Sequence, residues 1–129
     1  MAGVTGRAGP TWERRCADYA AERGLPWDRA PLRGNRDLLD LSGTIPAGFL
    51  VGCKAITRRG AANFGAKISE AMQQGDRALA NLGHVAESGI IPVQVMQRSG
   101  YPVGKAYVVM EYDHFLELAL ERAKGRADQ

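Results

Sequence analysis

The chain has 129 residues, 45% of them hydrophobic, with 17 Lys and Arg against 14 Asp and Glu for a formal net charge of +3. That length supports one domain with a sizeable core and argues against two. The positive balance leans toward polyanionic partners but is too small for a protein that coats nucleic acid, no apolar run reaches membrane-spanning length, and the N-terminal MAGVTGRAGPTWERR lacks the apolar core of a secretory signal. A soluble, cytoplasmic protein with no membrane partner is expected. Its two cysteines, Cys16 and Cys53, stand in different predicted elements without metal-type pairing, so free buried thiols are expected rather than a disulfide or a zinc site.

Residues 1–10 are rich in Gly and Ala and read as a flexible arm. Thr11 is a candidate N-cap for a helix over 12–23, with Trp12, Cys16, Tyr19 and Ala20 on one stripe and Gly24 and Pro26 as its stop. Between Pro31 and Ile56, short apolar runs separated by turn residues predict two strands, with room for a third before Arg36. The clearest strand is 49–56. Successive side chains along it alternate, so Phe49, Val51, Cys53 and Ala55 share one face while Leu50, Gly52, Lys54 and Ile56 share the other.

The segment 61–82 places Phe64, Ile68, Met72 and Leu79 on one face and Lys67, Glu70 and Gln74 away from it, the pattern of a long helix on a sheet. Residues 90–96 and 105–112 are alternating β-branched runs joined by the basic, glycine-containing loop QRSGYPVG. Asp113 is placed to cap a last helix over 114–124, and GRADQ, 125–129, reads as a frayed tail. Trp12 and Trp27 are expected as core or interface anchors, His84 and His114 as isolated structural or surface residues, and 11–124 as one domain. The order helix, strands, helix, two strands, helix is that of an α/β layer with helices on a mixed central sheet.

Two residues ask for a chemical reason. Asp40 lies in the strand-like run Leu38, Leu39, Asp40, Leu41, and Lys54 ends the next hydrophobic run; burying either charge is costly unless it is paired or bound to an ion. Neighbouring strands bring the two close, with Glu13 on the flank of the first helix as a third member. Two carboxylates and a lysine suit metal-dependent phosphodiester cleavage, the acids holding Mg²⁺ or Mn²⁺ and the lysine countering charge on the phosphorus. The plainer alternatives are an ion pair between Asp40 and Lys54 and a Glu13 placed in a first turn by the helix dipole.

On these residues the chain resembles the PD-(D/E)xK nuclease superfamily, and within it the Holliday junction resolvase-like proteins of archaea, actinobacteria and phages. The matching segments are TWERRCADYAAERG with Glu13, NRDLLDLSG with Asp40, GCK with Lys54, and the closing AYVVMEYDHFLELA. The resemblance implies a restriction-endonuclease-like mixed central sheet flanked by helices, an αβββαβ core plus a C-terminal helix. It further implies a metal-dependent endonuclease acting on branched or structured DNA, a homodimer, in a bacterial or phage-infected cell. Under it, Glu13, Asp40 and the backbone carbonyl of Cys53 hold the metal, and Asp40, Lys54 and Glu13 form the catalytic set. Arg58, Arg59, Lys67, Arg98 and Lys105 are candidates for the DNA backbone, and Tyr101 for a wedge at the hairpin tip.

Gly52 stands where the family's motif has an acid. Loss of that carboxylate predicts a weakened metal site. Glu70 is a candidate for a relocated acid, although its helical angle sets it opposite the apolar stripe, and Asp76 lies further along the helix. Two other readings follow from Gly52: a catalytically silent DNA-binding or protein-binding module, and an engineered glycine in place of a natural glutamate.

Overall fold

The computed structural model describes residues 8–30, 39–56, 63–82 and 89–128. In chain order these form α1 (Ala8–Glu22), β1 (Asp28–Arg29), β2 (Leu41–Ser42), β3 (Phe49–Lys54), α2 (Phe64–Leu82), β4 (Ile91–Met96), β5 (Tyr107–Val109) and α3 (Tyr112–Ala127). The architecture is mixed α/β. β3, β4 and β5 make a three-stranded sheet in that order, with β3 and β4 parallel and β4 and β5 antiparallel, while β1 and β2 form a separate antiparallel pair.

The alternation along β3 organises the core. Val51 and Cys53 pack under α1 with Trp12, Cys16 and Ala17, and Trp12 Nε1 donates to the carbonyl of Val95 at 3.1 Å. On the other face Leu50 meets Ala78 and Leu79 of α2, and Ile56 joins Ala71, Met96, Phe64 and Ile68. Each face is thus covered by one helix, as two-faced hydrophobic patterning requires. Both cysteines are free and buried.

α2 approaches the sheet through small residues. Ala71, Gly75 and Ala78 are its buried positions, and a Cβ on Gly75 would stand 3.0 Å from Cβ of Pro92. A face made of small side chains lets a helix backbone sit close to a strand. Beside these small residues Phe64, Ile68 and Leu79 of the predicted stripe pack against the core, while Met72, Lys67 and Gln74 are each half-buried.

Several boundaries differ from those the sequence predicts. α1 begins at Ala8, so Ala8–Pro10 are helical and Thr11 lies inside the helix rather than capping it; Pro10 fits there because first-turn N–H groups have no helical acceptor. β5 is only three residues long, since Val103–Lys105 form a 3₁₀ turn before it. The last helix starts at Tyr112 after Glu111 and continues to Ala127, so Asp113 sits in its first turn and 125–127 are helical. Trp12 is a core residue and Trp27 packs against the same cluster half-buried. The expected strand within 31–36, and His84, lie outside the described residues.

Candidate functional site

Glu13, on α1, has a side chain only 16% exposed, and its Oε1 lies 3.6 Å from Nε of Arg29, a charge contact longer than a hydrogen bond. That Nε is buried and has no hydrogen-bond partner among the described residues. Burial pushes the Glu13 carboxyl above its ordinary range, the Asp40 carboxylate pushes it further, and Arg29 only partly offsets them. Glu13 and Asp40 are therefore close enough to repel, as the sequence predicts. Arg29 is an addition that nothing in the sequence around it announces.

Asp40 is aimed by its backbone. The preceding Leu39 adopts a left-handed conformation, φ +72°, uncommon for a branched residue, while its side chain is buried against Leu50 and Ala78. Asp40 N–H donates to Val51 O at 3.1 Å, its own carbonyl accepts from Ala30 N–H at 2.8 Å, and its Oδ2 accepts from Cys53 N–H at 2.8 Å. The contact between Asp40 and Cys53 thus runs through the Cys53 amide. The Cys53 thiol is held well above its usual range by its contact with Cys16 and by burial, with the negative charges of Asp40 and Glu13 adding to this, so it stays protonated.

Lys54 points to the other face of β3, where its Nζ meets Glu70 Oε1 at 2.8 Å. Glu70 is exposed, as its helical angle predicts, and the long Lys54 side chain reaches out to it at the sheet margin. The Glu70 carboxyl is held below its ordinary range chiefly by the Lys54 hydrogen bond, with Lys67 contributing. Asp76 is exposed.

Gly52 has a specific neighbour. Gln94 of β4, its register partner, is 1% exposed, and its Nε2 donates to Ala71 O of α2 at 2.9 Å. A Cβ on Gly52 would stand 2.5 Å from Cδ and 2.6 Å from Nε2 of Gln94. The carboxamide fills the space into which a side chain at position 52 would project. A lone polar residue in the apolar run Ile90, Ile91, Pro92, Val93, Gln94, Val95 was the signal for it in the sequence.

A Mg²⁺ site needs about six oxygen ligands in near-octahedral array, with carboxylates carrying the charge. Here Glu13 faces Arg29, Asp40 holds a backbone amide, and Gln94 blocks the third position. Among the described residues no group of three or more His, Cys, Asp or Glu is placed to hold a metal ion. This donor set does not fit Mg²⁺ or Mn²⁺.

At the far end of the sheet, the β4–β5 hairpin gathers cations and aromatic rings. The Arg98 guanidinium stacks 3.6 Å from the ring centroid of Tyr101 and 4.3 Å from that of Tyr107, and Nη1 donates to Lys105 O at 3.2 Å. Strand register sets Lys54, Met96 and Tyr107 in one row across the sheet, so the hairpin stack and Lys54 belong to the same face. Lys67 is half-buried at the start of α2. Arg58 and Arg59 lie outside the described residues. Comparison of the chain with protein-family models, curated proteins and solved structures gave no match.

Proposed function

We propose that this chain is a nucleic-acid-binding module with a nuclease-like αβββαβ core, one that grips structured DNA without cutting it. The observation that carries this reading is the Gln94 carboxamide standing where the third acid of a cleavage site would project. Both remaining acids are committed, Glu13 to Arg29 and Asp40 to the Cys53 amide, and Lys54 is neutralised by Glu70. Each of those contacts stabilises the ground state of the protein and leaves no preorganised charge for a phosphoryl transition state.

Binding is supported by the hairpin. Arg98 between two tyrosines offers a cation for phosphate and, through Tyr101 at 52% exposure and Tyr107 at 51%, ring faces for unstacked bases. Lys105 and Lys67 extend the charge, and the overall +3 balance suits a modest, salt-sensitive grip. Bases splayed at a junction or a single-stranded end expose the faces such rings need, and uninterrupted duplex does not.

The test is fluorescence anisotropy of a labelled four-way junction, a matching duplex and a single strand in EDTA across a salt series, beside cleavage assays with Mg²⁺ and Mn²⁺. Expected are junction or single-strand binding in EDTA that weakens steeply with salt, and no cutting. Metal-dependent cutting, or no binding at low salt, overturns the proposal.

A further inference from the structure

The C-terminal helix turns its apolar side away from its own protein. No side chain of α3 is buried among the described residues. Its inward positions are the half-buried His114 and Leu118, and Leu118 packs on the core under α1. Tyr112, Phe115, Leu116 and Leu120 are exposed by 72%, 53%, 39% and 64%. Together they leave roughly 400 Å² of apolar surface open, the size at which the largest patch on a protein often has a function.

The same stretch has a charge pattern unlike the rest of the chain. Residues 106–121 hold four carboxylates, Glu111, Asp113, Glu117 and Glu121, and no Lys or Arg, whereas the remainder has 17 Lys and Arg against 10 Asp and Glu. All four acids are exposed, and among the described residues none of them is in an ion pair. Tyr112, Leu116 and Leu120 recur at steps of four, and each is followed at once by an acid, Asp113, Glu117 or Glu121. An apolar ridge and an acidic ridge therefore run side by side along α3. The cations of this helix, Arg122, Lys124 and Arg126, lie beyond Leu120, past the last large apolar side chain.

We infer that this face docks an amphipathic helix from a different protein, one with aliphatic anchors at steps of three and four and Lys or Arg along its flank. The groove between the Tyr112, Leu116, Leu120 ridge and the Phe115, Ala119 ridge takes a row of side chains at helical spacing, while the acidic ridge meets the partner's cations. Apolar contact supplies the affinity and the acids select the partner. That ridge repels the phosphates of nucleic acid and of an anionic membrane alike. It also disfavours a second copy: two α3 helices paired antiparallel over their large side chains centre on Leu116 and set Glu111 of one beside Glu121 of the other, and parallel pairing sets each acid beside itself. The inference is independent of whether the chain binds DNA.

The probe is a labelled synthetic helix of about 18 residues with Leu on one face and Lys on the flanks, compared by anisotropy with a counterpart carrying Glu in place of Lys. The full chain should bind the Lys peptide with a Kd of about 1–50 µM and the Glu peptide at least tenfold more weakly. Leu116→Ser with Leu120→Ser should lose at least tenfold for the Lys peptide, and Glu117→Lys with Glu121→Lys should reverse the order of the two peptides. Circular dichroism and Tm should stay unchanged in both double variants, since these side chains are exposed. Equal affinity for the two peptides, or binding that both double variants leave intact, overturns the proposal. So does a dimer in sedimentation equilibrium that Leu116→Ser with Leu120→Ser abolishes, because the face would then belong to a second copy.

Discussion

A single methyl group at position 52 tests how the candidate site is built. In Gly52→Ala the new Cβ meets Gln94 at 2.5–2.6 Å, where ordinary contact is 3.4–4 Å, so the carboxamide must retreat by roughly 1 Å. It cannot do so and keep its 2.9 Å hydrogen bond to Ala71 O. A buried amide left without its acceptor costs about 1–3 kcal/mol and overpacking about 1–3 kcal/mol, so the substitution should destabilise by about 2–6 kcal/mol. For a chain of this length that is a Tm drop of roughly 8–24 °C. Urea unfolding followed by circular dichroism measures it, with an unchanged m-value showing that the unfolded state is not what moved. The double variant Gly52→Ala with Gln94→Ala frees the space, and should be more stable than the sum of the single effects by at least about 1 kcal/mol. Additivity of the two substitutions would refute direct competition between the methyl and the amide.

Other outcomes follow from the same contacts. Gly52→Glu alone should neither fold well nor cut DNA, against the expectation if glycine were an engineered stand-in for glutamate; a labelled-junction cleavage assay with Mg²⁺ decides. Asp40→Ala should cost about 1.5–3 kcal/mol of stability by orphaning the Cys53 amide, so its unfolding curve has to accompany any functional readout. Because the Glu13 carboxyl is raised in the fold, its favourable contribution is complete below the ordinary glutamate range and is lost as pH rises through the raised value. Glu13→Gln should therefore gain stability relative to the parent between about pH 4 and pH 7, measured as the difference in urea midpoints. Arg98→Ala should weaken single-strand binding and lower the salt slope by roughly one unit, and Glu70→Gln, by freeing Lys54, should strengthen binding at low salt, both read by anisotropy.

What the sequence determined by itself is everything that depends on local period. The alternation from Phe49 to Lys54 assigned each side chain to its face of the sheet, the apolar spacing of Phe64 and Ile68 placed α2, and the turn residues between the last two β-branched runs placed the hairpin. The proximity of Glu13 and Asp40 was also legible, because two acids beside apolar runs on adjoining elements have few other places to go. Arg29 had no such signal, being one of many charged residues near a turn.

Only the tertiary structure decided what each face meets. The helical angle of Glu70 predicts its exposure, but its pairing with Lys54 depends on where α2 lies on the sheet, which the close approach of Ala71, Gly75 and Ala78 sets. Gln94 and Gly52 lie 42 positions apart and become partners only when β3 and β4 pair in parallel register. Phe115, Leu116 and Leu120 of α3 are turned to solvent in the fold, because Leu118 and His114 occupy the inward positions. Period fixes which residues share a face; which surface covers that face is settled by contacts between elements distant in the chain, and no local pattern encodes those.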